Sequence, residues 1–327
     1  MTLTREPLNA ETRLDLQDGP ITPAPRHYVR SHFALPDPPR AISVAGAVAA
    51  PRSLSIRDLR ALPRRSAVVT LECAGNGRAF LDPPAPGEQW RLGAVSTAEW
   101  TGAALRSVLE PAGLFSSTVE ILFRGADAGS PPDGRARIFF ERSLPLSRAL
   151  ADDVLVAYAM NGDEMPSEHG APARLIVPAW YGMASVKWLA EIVALERPFR
   201  GFYQADRYVV GDEPVRGVKP RAVIVSPQAA VRSPATVRGF AWSGQGSIVS
   251  VDLSVDGGRT WRGATLGPQP SPVAWCEWQA GLALSAGTYD LVARATDASG
   301  EQQPLENRAN PLGYMNNAAQ PVRVDVR

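Results

Sequence analysis

A thiol stands at the end of an apolar run in this chain: Ala67-Val68-Val69-Thr70 leads into Leu71-Glu72-Cys73-Ala74-Gly75-Asn76-Gly77-Arg78. The β-branched run reads as a buried strand. The two glycines and the asparagine then let the backbone turn sharply, and an arginine follows within reach. A thiol leaving a strand end beside a cation is expected to have a lowered pKa and to be available as thiolate. Thiolate is a nucleophile or a soft-metal ligand, and the residue types leave both open beside the plainer role of a small buried apolar group.

Other residues with chemical potential sit on turns and short strands. In Tyr28-Val29-Arg30-Ser31-His32 the period of an extended segment puts Arg30 and His32 on one face. Glu168-His169-Gly170-Ala171-Pro172-Ala173-Arg174 carries a histidine and an arginine on a Gly/Pro turn entering a strand. Lys187 alternates with Val186 and Trp188 and so points away from their face. Each alone reads equally as a solvated surface cation. Converging on a thiolate, they would form a site for a phosphorylated or oxyanionic ligand.

Cysteine and histidine counts narrow the chemistry. The only cysteines are Cys73 and Cys276, with no Cys-x-x-Cys pair, so a disulfide framework and structural zinc are both excluded. With only three histidines (His27, His32, His169), a multi-imidazole metal centre is not expected. No Gly-x-Ser-x-Gly elbow, Walker loop or Gly-x-Gly-x-x-Gly fingerprint is present. The net charge of +1 gives no electrostatic case for nucleic acid.

The elements that must position these residues are mostly short. Gly 28 and Pro 30 in 327 residues favour loops and strands over long helices, and the length suits two domains. Residues 1–40 read as a polar, proline-punctuated extended arm. Residues 41–213 alternate short strands with helical stretches, Ser55–Leu62 and Ala103–Leu109 among them; Arg174–Val177 and Val186–Leu189 read as strands. Residues 214–327 are purely β, with period-two runs at Ile248–Val255 and Tyr289–Thr296 around an Asp256-Gly257-Gly258 turn. That texture fits an immunoglobulin-like sandwich, with Trp242, Trp261, Trp275 and Trp278 as its aromatic core. The expected class is therefore an α+β domain followed by an all-β immunoglobulin-like sandwich. No apolar stretch suggests a membrane span, and the polar start Met1-Thr2-Leu3-Thr4-Arg5-Glu6 has no signal-peptide core. A cytoplasmic location is the expectation, or a periplasmic one had an export signal been removed.

Four stretches in order carry a family resemblance: Arg30-Ser31-His32; Leu71 to Arg78; Trp90-Arg91-Leu92-Gly93-Ala94-Val95-Ser96 running to Trp100-Thr101-Gly102; and Met160-Asn161-Gly162 through His169-Gly170, Arg174 and Val186-Lys187-Trp188-Leu189. Along its whole length the chain resembles the sulfite oxidase family of molybdenum-pterin enzymes, with a molybdopterin-binding domain and an immunoglobulin-like dimerisation domain. The resemblance implies that Cys73 is the one protein ligand to molybdenum, the pterin supplying the other sulfurs. It assigns His32, Ser96, His169, Arg174, Ser185 and Lys187 to molybdopterin, and Arg30, Arg78, Trp90 and Tyr208 to the substrate pocket. In that pocket two guanidiniums would hold an oxyanion while Trp90 shields one wall.

Oxygen-atom transfer, sulfite becoming sulfate, is the activity so implied. A homodimer, no haem (there is no Cys-x-x-Cys-His motif) and an external electron acceptor follow with it. Two positions depart from the family pattern. Gly77 stands where many members have a second arginine, and Leu312 stands where sulfite oxidases have a pocket arginine, with Arg308 nearby as a stand-in. Nitrate reduction and sulfoxide reduction on the same metal site are the alternatives within the family. A non-catalytic immunoglobulin-like binding protein is the alternative outside it.

Overall fold

Alternating apolar residues put the thiol's strand into a long antiparallel pairing. In the computed structural model, which describes residues 1–327 apart from 132 and 309, Arg64–Glu72 runs against Val95–Ala104 from Arg64 opposite Ala103 to Glu72 opposite Val95. Leu155–Met160 lies on the other side of Val95–Ala104, and both Asp163–Glu164 and Arg174–Ile176 pair with it. A second sheet is ordered Arg52–Leu54, Ile42–Gly46, Leu189–Leu195, Glu120–Gly129, Ile138–Pro145, with the Ile42–Gly46 and Leu189–Leu195 strands parallel. Three short α-helices join the strands among the described residues. Ile56–Ala61 begins at a capping box in which Ser55 and Asp58 bond each other's main chain, followed by Leu105–Leu109 and Leu146–Ala149.

The C-terminal part is a sandwich of two four-stranded antiparallel sheets. One runs Arg221–Ser226, Ala235–Trp242, Cys276–Leu282, Thr265–Leu266; the other runs Arg262–Gly263, Ile248–Ser254, Gly287–Asp297, Val322–Val326. Val237, Val251, Leu253, Trp278 and Leu291 fill the space between them. The tryptophans divide differently from expectation. Trp242 and Trp275 join the apolar core shared with the first 200 residues rather than the sandwich interior. Their indole N–H groups donate across the chain, to Glu72 Oε2 at 2.9 Å and to Pro20 O at 2.8 Å.

Two further expectations are corrected. Residues 1–40 are packed: Thr2–Arg5, Leu8–Ala10 and Val29–Arg30 form a three-stranded sheet, and Asn9, Thr22, His27 and Ser31 are buried. The arm's polar groups satisfy main chain instead of water, as in Thr12 N to Gly93 O at 2.8 Å and Thr22 N to Thr97 O at 2.7 Å. Val186-Lys187-Trp188 is irregular, and the strand starts only at Leu189. Trp188 has φ 49°, a left-handed conformation that a strand does not allow.

Candidate active site

A cavity opens where the Cys73 turn, the end of the packed arm and the 168–188 segment meet. Cys73, Arg30, His32 and Tyr208 line it, and so do His169, Arg174, Ser185 and Lys187. Eight residues chosen from scattered stretches are thus brought together. The Cys73 amide donates to Ala94 O at 2.8 Å, and its carbonyl accepts from Asn76 N at 2.9 Å, closing the turn. Gly77 has φ 84°, which an arginine there would take only with strain. At Gly75 a Cβ would lie 2.5 Å from Arg78 Nη1, so the missing side chain is what lets Arg78 fold over the turn.

The expected lowering of the Cys73 pKa does not occur in the protein alone. Burial pushes the thiol up, and Arg30 and Arg78 pull it back only in part. A cation bound at sulfur would displace the proton.

Buried cations gather beyond the thiol. Lys187 Nζ donates to Ser31 Oγ and to Glu168 O, both at 2.9 Å. Arg174 donates to His169 O at 2.8 Å and to Ser185 O at 2.9 Å, and Ser185 Oγ accepts from Val177 N at 3.0 Å. Burial lowers the pKa of Lys187 well below the usual lysine range, helped by Arg174. Toward the arm, His32 Nε2 and the Tyr208 hydroxyl share a 2.7 Å hydrogen bond. The His32 ring stacks on Phe140 at 4.7 Å. Tyr208, at φ 54°, is held in a strained conformation of the kind that collects at functional sites.

All three histidines are neutral at physiological pH. Burial holds His27 and His32 well below the ordinary value and brings His169 down to about 4. Because the folded pKa is depressed, the unfolded chain takes the proton first. The stability from burying His169 neutral is therefore complete above its unfolded value of 6.5 and is lost as pH falls toward about 4. Burial raises Asp127, which acts in the opposite direction. A comparison with His169→Gln cancels that contribution. The variant should lose less melting temperature than the parent between pH 6.5 and pH 4; equal losses would place the titration elsewhere.

Three predicted residues do not line the cavity. Trp90 is fully buried in the apolar cluster that also holds Cys73, Tyr28 and Trp100, and it does not line this cavity. Ser96 Oγ is taken by Thr12 Oγ1 at 2.5 Å and by Tyr28 N at 2.9 Å, so it ties the arm to the sheet instead of binding a ligand. Arg78 is spent on main chain, donating to Glu88 O at 2.9 Å and Leu312 O at 3.1 Å, with its guanidinium 5.2 Å from the Tyr314 ring. Arg308 is exposed and outside the cavity, so it does not replace the arginine absent at Leu312.

Asp127 and His27 line the cavity and were missed. A carboxylate inside an apolar strand was the available sign for Asp127; nothing local marks His27. Asp127 Oδ1, His27 Nε2 and Arg174 Nε are buried without hydrogen-bond partners, and all three residues line this cavity. Such a set is left in place for a polar ligand.

The comparisons with known proteins agree with this geometry. Residues 33–203 match the family model described as oxidoreductase molybdopterin binding domain, and residues 215–327 match the Mo-co oxidoreductase dimerisation domain. The chain belongs to the sulfite oxidase family of molybdopterin oxidoreductases. It is 36% identical to the mitochondrial sulfite oxidase of Mus musculus, covering 99% of this chain and 65% of that protein. Identity to sulfite oxidase of Gallus gallus is 34%, covering 92% of this chain and 72% of that one. The chain thus spans about two thirds of the length of these relatives. The sulfane dehydrogenase SoxCD of Paracoccus pantotrophus superposes with a TM-score of 0.85 at 28% identity, covering 98% of this chain and 85% of that chain.

The chain's own residues suit the family's cofactor. Among the described residues no three His, Cys, Asp or Glu side chains converge as a metal site, so a metal at Cys73 would draw its other donors from a bound group. The unpartnered polar atoms and buried cations provide for the rest of such a group.

Proposed function

We propose that the protein oxidises sulfite to sulfate and passes the electrons to an acceptor outside this chain. One observation carries the reading: Cys73, Arg30 and the Tyr208–His32 pair line the same cavity as an array of buried cations. Cys73 would hold molybdenum, while His169, Arg174, Ser185 and Lys187 would hold the pterin and its phosphate. Bound there, the cofactor supplies a two-electron oxygen-atom transfer, in which sulfite and water give sulfate, two protons and two electrons.

The protein's part is positioning and electrostatics. Arg30 offers its guanidinium to the oxyanion; its Nη1 is steadied by Asn9 Oδ1 at 3.1 Å. Tyr208 presents a hydroxyl whose proton stays on, since burial raises its pKa well above the ordinary value. Neutral His32 fixes that hydroxyl's direction. The family's dimerisation domain supports a homodimer built through residues 215–327.

Metal analysis of purified protein, combined with sulfite-dependent reduction of ferricyanide, tests the reading. Molybdenum with sulfite turnover supports it. Molybdenum with nitrate- or sulfoxide-dependent oxidation of a reduced dye, and no sulfite turnover, would retain the family and discard the substrate.

A further inference from the structure

Arg142 lies on the Ile138–Pro145 strand two residues after Phe140, so both side chains leave the same face. Phe140 reaches the cavity. Arg142 is 1% exposed and places its guanidinium carbon 5.9 Å from the centre of the ring of Tyr208, which lines the cavity. Its Nη1 donates to Tyr203 O, its Nη2 to Val215 O at 3.4 Å, and its Nε has no partner. No carboxylate pairs with it among the described residues. Arg221, also buried, makes the contrast: it meets Glu72 at 3.1 Å. An arginine kept for packing alone is expected to have its charge matched. Burial lowers the Arg142 pKa to about 10, with Tyr208 and Tyr314 acting to raise it, so it stays a cation at neutral pH.

The carbonyls it binds flank the strained residue. Tyr203 belongs to the turn that leads into Tyr208, and the Val215 amide donates to Tyr208 O at 2.7 Å. Arg142 therefore bridges the chain on both sides of Tyr208. Tyr314, stacked on Tyr208 at 5.0 Å, comes two residues after Leu312, the place where the family pattern has a pocket arginine.

We propose that Arg142 is a positioning residue for Tyr208, clamping the backbone that carries it and supplying the positive charge absent at Leu312. The inference rests on the sulfite reading above. Its two parts separate experimentally. Arg142→Lys, assayed below about pH 7 so that the buried ammonium keeps its proton, retains the charge but loses the planar fork that spans two carbonyls, whereas Arg142→Met loses both.

In the molybdenum-loaded enzyme, Arg142→Lys is expected to lower kcat about tenfold or more through misplacement of Tyr208, with KM for sulfite within about twofold of the parent. Arg142→Met is expected to lower kcat similarly and to raise KM about tenfold through the lost charge. Sulfate binding to the same preparations, measured by calorimetry without turnover, should weaken in parallel for methionine and hold for lysine. The proposal is overturned if lysine and methionine shift KM and sulfate affinity equally, or if lysine leaves kcat unchanged. Should the methionine variant not fold, the lysine variant decides alone, through its kcat and its sulfate affinity. A parent enzyme that binds sulfate but does not oxidise sulfite sinks the substrate reading, and the calorimetry still decides on Arg142.

Discussion

Alanine at position 73 is expected to abolish turnover while leaving the fold in place. Cys73 contributes one small side chain to a cluster containing Tyr28, Trp90 and Trp100. The turn around it is held by main-chain bonds that alanine keeps, from Cys73 N to Ala94 O and from Asn76 N to Cys73 O. Loss of the sulfur therefore leaves a cavity smaller than a methionine-to-alanine change would, and the melting point should move little. Activity is another matter. If the thiol holds the metal, its removal should cost more than the roughly 10–100-fold that follows loss of an outer partner of a metal ligand. Metal content and sulfite-dependent reduction of ferricyanide should fall together.

Cys276 provides the control. It is buried in the sandwich and its thiol is pushed up to about 11 by burial, so Cys276→Ala should retain full activity. Full turnover by Cys73→Ala would return the thiol to the role of a small apolar group and end the metal assignment.

What the sequence made legible was local. The strand into Cys73, the turn after it, the shared face of Arg30 and His32, and the period-two runs of the sandwich each depend on neighbours within a few residues. What it concealed was spent at long range. The family resemblance assigned Arg78 to the substrate pocket, but it bonds a carbonyl 234 positions away at Leu312. Trp242 looked like sandwich core, but its indole N–H bonds a carboxylate 170 positions away. The arm looked solvated because it is polar and proline-punctuated; Thr22 and Thr97 find each other across 75 positions. Arg142 carried no mark of its own, since one arginine in a strand edge is ordinary until its burial and missing carboxylate are seen.

Breaking the Glu72–Arg221 pair is expected to destabilise the protein more than any other single charge change in it. Glu72 is the residue before the thiol, and its carboxylate, 1% exposed, meets Arg221 from the first strand of the sandwich. Asn76 Nδ2 donates to Glu72 Oε1 at 3.0 Å and Trp242 Nε1 to Oε2 at 2.9 Å, so each oxygen is used. Arg221 in turn donates to Asn76 O at 3.3 Å and to Asn316 O. The network joins the Cys73 turn to the C-terminal domain with no solvent to take over a lost partner. Glu72→Gln leaves a buried guanidinium unmatched, and Arg221→Met leaves a buried carboxylate unmatched. Either should cost about 3–5 kcal/mol, read as a fall in the urea midpoint of unfolding. Because the carboxylate also sets the turn through Asn76, metal content should drop in both variants even where they remain folded. Replacing both residues by methionine removes both charges at once, and its penalty should be clearly smaller than the sum of the single changes. An additive double variant would mean the two charges are already separately satisfied, and that the domain contact rests on the apolar core around Trp242 and Trp275 and on bonds such as Trp275 Nε1 to Pro20 O and Asn316 Nδ2 to Gly77 O.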